Sequence, residues 1–162
     1  MKTFIKKISI LLVLTMILSC SKDDAPAASN STVADLGTFA GNLQVSDDPQ
    51  TDLGYVYNTN VTVTTSGTNA TMKITGNEGF DREYTGTISA GSTASSTIIT
   101  INKQTKPVDK IAGSTVLVIN NELSIDINLA NDRVTVRKTP TSPTTVDIVG
   151  KIRMIGTNLL KK

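Results

Sequence analysis

The sequence predicts an all-β fold, in which an antiparallel meander of about eight strands closes into a barrel. The region after residue 35 is rich in Thr, Val and Ile, which favour strands over helices. Apolar and polar residues alternate along it, as in strands with one buried face. Gly, Asn, Asp or Pro interrupts this alternation about every eight to twelve residues, a spacing typical of turns between short strands.

The first three strands are predicted at residues 39–45, 55–65 and 70–75. A turn at residues 66–69 joins the second strand to the third, and such a short connection indicates a hairpin. The side chains predicted to face inward are, strand by strand, Phe39, Gly41, Leu43 and Val45; Tyr55, Tyr57, Val61 and Val63; Ala70, Met72 and Ile74.

The middle of the chain predicts three further strands, at residues 80–88, 97–102 and 114–119. Arg82 shares one side of the first of these with Phe80 and Tyr84, so the alternation leaves open which side faces inward. A polar loop that contains Pro107 separates the second of these strands from the third.

The last part of the chain has the clearest alternation. Leu123, Ile125, Ile127 and Leu129 alternate with polar residues, which predicts a strand with one dry and one wet face. We expect a turn at residues 130–132, a strand at 134–138, a proline-rich loop at 139–143 and a final strand at 146–155. That final strand is predicted to point the following residues inward: Val146, Ile148, Gly150, Ile152 and Met154.

The predicted strands number eight or nine, and a meander of about this size removes its free edges by pairing its first strand with its last. A two-sheet β-sandwich is the alternative architecture.

The N-terminus has the layout of an export signal. Lys2, Lys6 and Lys7 precede a mainly apolar stretch of eleven residues at 8–18, and small Ser19 follows it. A helix needs about 20 apolar residues to cross a bilayer, so we expect a removable signal helix. Cys20 comes directly after this segment. It is the only cysteine in the chain, so an internal disulfide is excluded.

The residues Ile17-Leu18-Ser19-Cys20 resemble the bacterial lipobox. The resemblance implies cleavage between Ser19 and Cys20, a diacylglyceryl group on the Cys20 thiol, and an acyl chain such as palmitate on the new amine. Two or three acyl chains hold a protein at a membrane essentially permanently, whereas one chain binds only marginally. An ordinary secretory signal followed by a coincidental cysteine is the alternative.

The next residues, Ser21, Lys22, Asp23 and Asp24, resemble the short acidic export tag of Bacteroidota surface lipoproteins. The resemblance implies an outer-membrane lipoprotein exposed on the cell surface, and a periplasm-facing anchor is the alternative. Residues 20–35 comprise the cysteine whose lipidation the lipobox resemblance implies and a flexible tether, which is predicted because residues 21–35 lack an apolar period. Residues 36–162 then form a single all-β domain.

The barrel itself resembles the lipocalin or calycin-like lipoproteins. The resemblance rests on the start Gly37-Thr38-Phe39-Ala40-Gly41, the meander and the long last strand. It brings no catalytic motif and no cofactor. An eight-stranded barrel either fills with side chains or holds one small ligand. We therefore expect a small apolar ligand, bound in the barrel mouth by Tyr57, Val61, Ile125 and Ile152.

Charge and composition exclude several classes of function. Removal of residues 1–19 takes away three lysines and no acidic residue, which changes the net charge from +2 to −1. Nucleic-acid binding is not expected of such a domain. The chain has no histidine, so nucleophilic triads and typical zinc sites are excluded.

Carboxylates are the remaining catalytic groups, and the candidates for an acid and base pair are Glu78, Asp81, Glu83, Glu122 and Asp126. We expect these residues to be ordinary surface groups and the protein not to be an enzyme. Asp47, Asp48 and Asp52 gather in one loop, but their spacing does not match an EF-hand calcium site. No metal and no cofactor are predicted.

The sequence therefore predicts a lipid-anchored, non-catalytic binding or accessory module. One alternative is an interaction subunit of a surface complex that takes up glycans or nutrients, which would recognise a glycan or a partner protein through its loops. Another alternative is a hydrolase inhibitor that uses the loop at residues 47–52 or 103–110.

Overall fold

The computed structural model describes residues 34–47, 51–107 and 114–162. Its strands are β1 (Ala34–Ser46), β2 (Asp52–Ser66), β3 (Asn69–Thr75), β4 (Asp81–Ala90), β5 (Ser96–Lys106), β6 (Ser114–Ile119), β7 (Glu122–Arg137) and β8 (Thr145–Lys161). The predicted signal helix, Ser19, Cys20, residues 21–24 and most of the tether lie outside the described residues. No helix long and apolar enough to cross a membrane is found in the part of the chain that the structure describes.

The eight strands form one closed antiparallel barrel in sequence order. Closure is made by β1 and β8, which pair from Phe39 opposite Lys161 to Ser46 opposite Arg153. The predicted barrel is therefore confirmed, and the β-sandwich alternative is wrong.

Local sequence explains the tight hairpins of the meander. Gly67 begins the two-residue connection between β2 and β3 with a φ of 59°, a conformation that costs glycine little. Asn120 begins the connection between β6 and β7 with a φ of 52°, and asparagine tolerates this left-handed region better than most residues. Both turns lie where the sequence predicts them.

The core fills the barrel with the inward side chains of all eight strands. The inward residues of β7 are buried as predicted: Leu123, Ile125, Ile127 and Leu129. Burial of each such side chain contributes about 1.5–3 kcal/mol. Tyr84 and Phe80 also face this core, so the inward face of β4 is the one that carries Arg82.

One expectation for β2 is wrong. Tyr55 does not face inward with Tyr57, because β2 contains an irregularity opposite β1. Val56 and Tyr57 are both buried, and Asn58 between them and Thr59 has a φ of 51°. This bulge changes which alternate side chains point into the barrel, and Val56 occupies the inward position expected for Tyr55.

The turn predicted at residues 130–132 is also wrong, because β7 continues through it as one strand. Leu129 lies opposite Ile152, whereas Asp132 lies opposite Gly150. One extra residue of β7 is thus accommodated as a bulge, which bends the strand without ending it. Gly150 has a φ of 129°, a conformation that side-chain-bearing residues avoid.

The last strand is longer than predicted, and its first part extends past the end of β1. Ile152 and Met154 are buried as expected, whereas Val146 is 44 % exposed. The difference arises because β1 ends opposite Arg153, so residues 145–152 of β8 pair with β7 alone.

Candidate functional site

The four residues predicted to bind an apolar ligand come from three strands and are buried. Val61, Ile125 and Ile152 belong to the packed core, with 0 %, 2 % and 3 % exposure. Tyr57 is 8 % exposed, and its hydroxyl donates a hydrogen bond to the Lys138 carbonyl at 3.1 Å. These side chains fill the barrel, and they line neither of the two clefts described below.

One end of the barrel is covered by a two-stranded segment. We call this segment, residues 132–137 of β7 with residues 145–150 of β8, the cap. In the barrel order β7 lies between β6 and β8, yet the cap reaches β2, where Arg137 pairs with Tyr55. Val134 and Val136, which belong to the cap, are buried. Gly54 permits this approach, since a Cβ atom there would lie 2.9 Å from the Arg137 carbonyl oxygen.

The cap is held to the far wall of the barrel by an ion pair. The Arg82 guanidinium donates to Asp132 through Nε at 3.0 Å and Nη2 at 3.2 Å, and Nη2 also donates to the Arg133 carbonyl at 2.7 Å. The two charged side chains are only 11 % and 8 % exposed. The guanidinium carbon lies 4.7 Å from the centre of the Phe80 ring, a favourable cation–π contact.

Tyr84 lies next to this pair on the same face of β4, fully buried. Its hydroxyl has no hydrogen-bond partner among the described residues. Burial raises the pKa of Tyr84 above its ordinary value of 10.0, Arg82 opposes this shift and Asp132 adds to it. The phenol therefore stays neutral, and its hydroxyl is a buried polar group of the core without a hydrogen-bond partner among the described residues.

Further contacts hold the tip of the cap. Arg137 donates to Glu78 through Nε at 2.7 Å and to the Ser142 carbonyl through Nη1 at 2.7 Å. The Lys138 ammonium donates to the Asp52 carbonyl at 2.9 Å. A cleft of about 90 Å³ remains between the cap and the turn that precedes β4, a volume that suits a few water molecules rather than an organic ligand.

A second, shallow groove of about 410 Å³ lies on the barrel wall along residues 40–42 and 58–60. Asn42 Oδ1 accepts a hydrogen bond from the Asn58 backbone N–H at 3.2 Å, and Asn60 Oδ1 accepts one from the Lys162 ammonium. Because both amide oxygens are engaged, the side-chain donors of Asn42 and Asn60 that remain without a partner among the described residues are their Nδ2 groups.

The carboxylates considered for catalysis are mostly held by partners of their own. Glu78 pairs with Arg137, Asp81 with Lys106 and Asp126 with Arg153. Glu83 accepts a hydrogen bond from the Thr105 hydroxyl at 2.8 Å, and Glu122 is exposed. The hydrogen bond from Lys106 lowers the pKa of Asp81, and the one from Arg153 lowers the pKa of Asp126.

The acidic loop considered for calcium uses its carboxylates within the chain. Asp47 Oδ1 accepts from the Thr51 backbone N–H at 2.8 Å, and Asp52 Oδ1 accepts from the Gly54 backbone N–H at 2.9 Å. Asp48 lies outside the described residues. The described residues contain no group of three or more His, Cys, Asp or Glu side chains that could hold a metal ion.

The loops considered for a hydrolase inhibitor are at residues 47–52 and 103–110, and the structure describes each of them only in part. Residues 103–106 belong to β5, so the longer of the two predicted loops is shorter than expected. Tyr57, which the sequence predicts to face inward, is buried, and so is Tyr84. Tyr55 is half-buried, and its ring centre lies 5.6 Å from that of Tyr57.

Sequence reasoning missed the cap and the ion pair that holds it. The only signal was Arg82, which shares a strand face with Phe80 and Tyr84. A charged residue on a face that must be buried calls for an opposite charge nearby, but the sequence could not identify Asp132 as that partner. No family model, no curated protein and no solved structure matches the chain.

Proposed function

We propose that this protein is a lipid-anchored, non-catalytic β-barrel module of calycin-like type, which binds a partner at the surface of the outer membrane. The anchor rests on Cys20 and its lipobox-like neighbours. The cell-surface address rests on Ser21, Lys22, Asp23 and Asp24. Acyl chains on Cys20 would hold the protein, and the tether that follows would carry the barrel in the water layer.

The observation that carries the non-catalytic role is the engagement of the carboxylates. A general acid at neutral pH needs a raised pKa, whereas arginine or lysine lowers the pKa of Asp81 and Asp126. Hydrogen bonds from Thr135 and Arg133 likewise lower the pKa of Asp147. Such ion-paired groups stabilise the barrel surface and are poorly suited to proton transfer.

The packing of the interior favours a partner bound on the outside of the barrel. Val61, Ile125 and Ile152 are already packed against other core side chains, and the cap covers the end of the barrel that is opposite the start of β1. A small apolar ligand would need to displace the cap and part of this core. If the outer surface binds a glycan or another protein of an uptake complex, neither the cap nor the core needs to be displaced.

The anchor is tested by fractionating cells that produce the full chain or its Cys20→Ala variant. We expect the unaltered protein in the membrane fraction, labelled by radioactive palmitate, and the variant unlabelled and released. Ser21→Ala is the matched control, because it changes the neighbouring residue and leaves the thiol in place. A Cys20→Ala protein that still takes up palmitate and sediments with membranes would contradict the proposal.

The address is tested separately, by adding protease to intact cells. Surface display predicts digestion of the barrel without lysis, and replacement of Asp23 and Asp24 by alanine should protect it while membrane attachment persists. Protection of the unaltered protein in intact cells would favour the periplasm-facing anchor instead.

A further inference from the structure

Among the described residues, the cap has one strand edge without a pairing partner, on an otherwise closed barrel. β7 pairs with β8 from Thr145 to Ile152 on one side, whereas β1 pairs with β8 only from Arg153 onward on the other. No described strand pairs with residues 145–152 on the β1 side. This edge is about 27 Å long at about 3.4 Å per residue, and its backbone groups can accept a further strand.

The side chains along this edge alternate between the inner and outer faces of the cap. Ile148 packs partly against the core, and Asp147, Val149 and Lys151 are exposed on the outer face. Val149 is 71 % exposed, the largest value among the described large apolar residues. Asp147 accepts hydrogen bonds from Thr135 at 2.6 Å and from Arg133 at 2.5 Å, both on β7, and its side chain is still 42 % exposed, so its carboxylate can accept a further contact.

We propose that a second copy of this chain pairs with the open edge, strand against strand, about a two-fold axis at Val149. Such an axis makes an antiparallel ladder in which a residue before position 149 in one copy lies opposite the residue equally far after position 149 in the other copy. Val149 then lies opposite the partner's Val149, and Asp147 lies opposite the partner's Lys151. The same strand supplies both charges, so the pairing forms two opposite-charge contacts and one apolar contact.

Neighbouring registers lose this complementarity. The outer faces of the two copies lie on the same side of the joined sheet only when the two-fold axis places a residue opposite the same residue of the other copy. An axis at Ile148 would place Asp147 opposite the partner's Val149. An axis at Asp147 would place the two Asp147 carboxylates opposite each other, and like charges in that position are destabilising. The order of charges along the edge therefore selects Val149 as the centre.

The proposal is tested by cysteine crosslinking of the full chain in the cells that produce it. Val149→Cys should give a disulfide-linked dimer of twice the chain mass under mild oxidation, because the two positions face each other. Val146→Cys lies on the same edge but opposite the partner's Ile152, and Thr87→Cys is exposed on β4. Both controls, and the unaltered chain with Cys20 alone, should give no disulfide-linked dimer.

A charge exchange tests the register. Asp147→Lys or Lys151→Asp, each combined with Val149→Cys, should lower the crosslinked fraction on the order of tenfold, because like charges then face each other. Production of the two variants together should restore the dimer, since opposite charges meet again. Lys103→Glu, exposed on β5, is the matched control and should leave the fraction unchanged.

Three results would overturn the proposal. The first is a Val149→Cys protein that unfolds at the same urea concentration as the unaltered chain, and is therefore folded, yet forms no dimer. The second is equal crosslinking at residues 149, 146 and 87, which would indicate crowding rather than a defined ladder. The third is a crosslinked product with a different protein. The same variants made in the Cys20→Ser chain separate this edge from the anchor, because the ladder predicts dimers at high concentration without a membrane.

Discussion

Arg82 is the residue on which the capped end depends most, because it bonds to Asp132 across the barrel with both side chains largely buried. Removal of one partner of a buried pair leaves an uncompensated charge and costs about 3–5 kcal/mol. We predict that loss for Arg82→Met, measured by urea unfolding.

The matched control for Arg82→Met is Arg153→Met, which breaks the more exposed Arg153–Asp126 pair and should cost less than about 1 kcal/mol. The double variant Arg82→Met with Asp132→Leu should recover most of the loss, since no unpaired charge remains. Equal losses for the two single arginine variants would contradict the assigned role of Arg82.

For Tyr84 we predict the opposite, that removal of its hydroxyl does not lower the stability of the protein. Its buried hydroxyl has no partner among the described residues, and an unmatched buried polar group costs about 1–3 kcal/mol. Tyr84→Phe should therefore unfold at an equal or higher urea concentration than the unaltered protein. Tyr57→Phe is the comparison, because it removes a hydroxyl that donates to Lys138, and it should be destabilising. A clear loss of stability in Tyr84→Phe would show that this hydroxyl has a partner.

Asp126 predicts how stability depends on pH. Two hydrogen bonds from Arg153, at 2.8 and 2.6 Å, lower its folded-state pKa below the ordinary 3.8. As pH falls, the unfolded chain therefore takes up this proton first. The stabilisation is present above the unfolded pKa and is lost as the pH falls through the folded pKa.

The corresponding test compares melting temperatures of Asp126→Asn and the unaltered protein from about pH 7 to about pH 3. The variant should melt lower at neutral pH, and the gap should narrow as the acid range is entered. A gap that does not change with pH would contradict the ion-pair explanation.

At the scale of elements, alternation predicted the strands well where the ladder is regular. Residues 114–119 and the inward positions of β7 from Leu123 to Leu129 match the structure. In a regular strand alternate side chains face opposite sides of the sheet, so only one assignment of faces buries the apolar residues. Alternation failed where a bulge shifts the period. Tyr55 and residues 130–132 are such places, and single extra residues leave no clear mark in the sequence.

Gly86 shows how one element depends on close approach to another. β4 and β5 are out of simple register beside it, and a Cβ atom there would lie 2.3 Å from the Thr100 carbonyl oxygen. Because backbone cannot yield as a side chain can, we predict that Gly86→Ala costs about 1–3 kcal/mol in urea unfolding. Gly79→Asn is the control, since nothing lies within 4 Å of its added atom and asparagine tolerates its positive φ. A Gly86→Ala protein as stable as the control would contradict this packing.

At the scale of the whole molecule, the barrel followed from the strand count, because eight strands in a meander can remove their edges by closing. The cap did not follow, since it depends on contacts between β7 and strands far away in the sequence, such as Asp132 with Arg82. The sequence also could not show whether the predicted apolar ligand site has room for a ligand. Inward positions were identified correctly for Val61, Ile125 and Ile152, but alternation cannot distinguish a packed core from a cavity.

The central claim is that the barrel is held at a membrane through Cys20, and the mass of the mature protein tests it most directly. The protein is extracted from membranes with detergent and measured intact by mass spectrometry. We predict a chain that begins at Cys20 and carries the added mass of a diacylglyceryl group and an amide-linked acyl chain. A mature chain that begins at another residue, or one with an unmodified Cys20 thiol, would contradict the account.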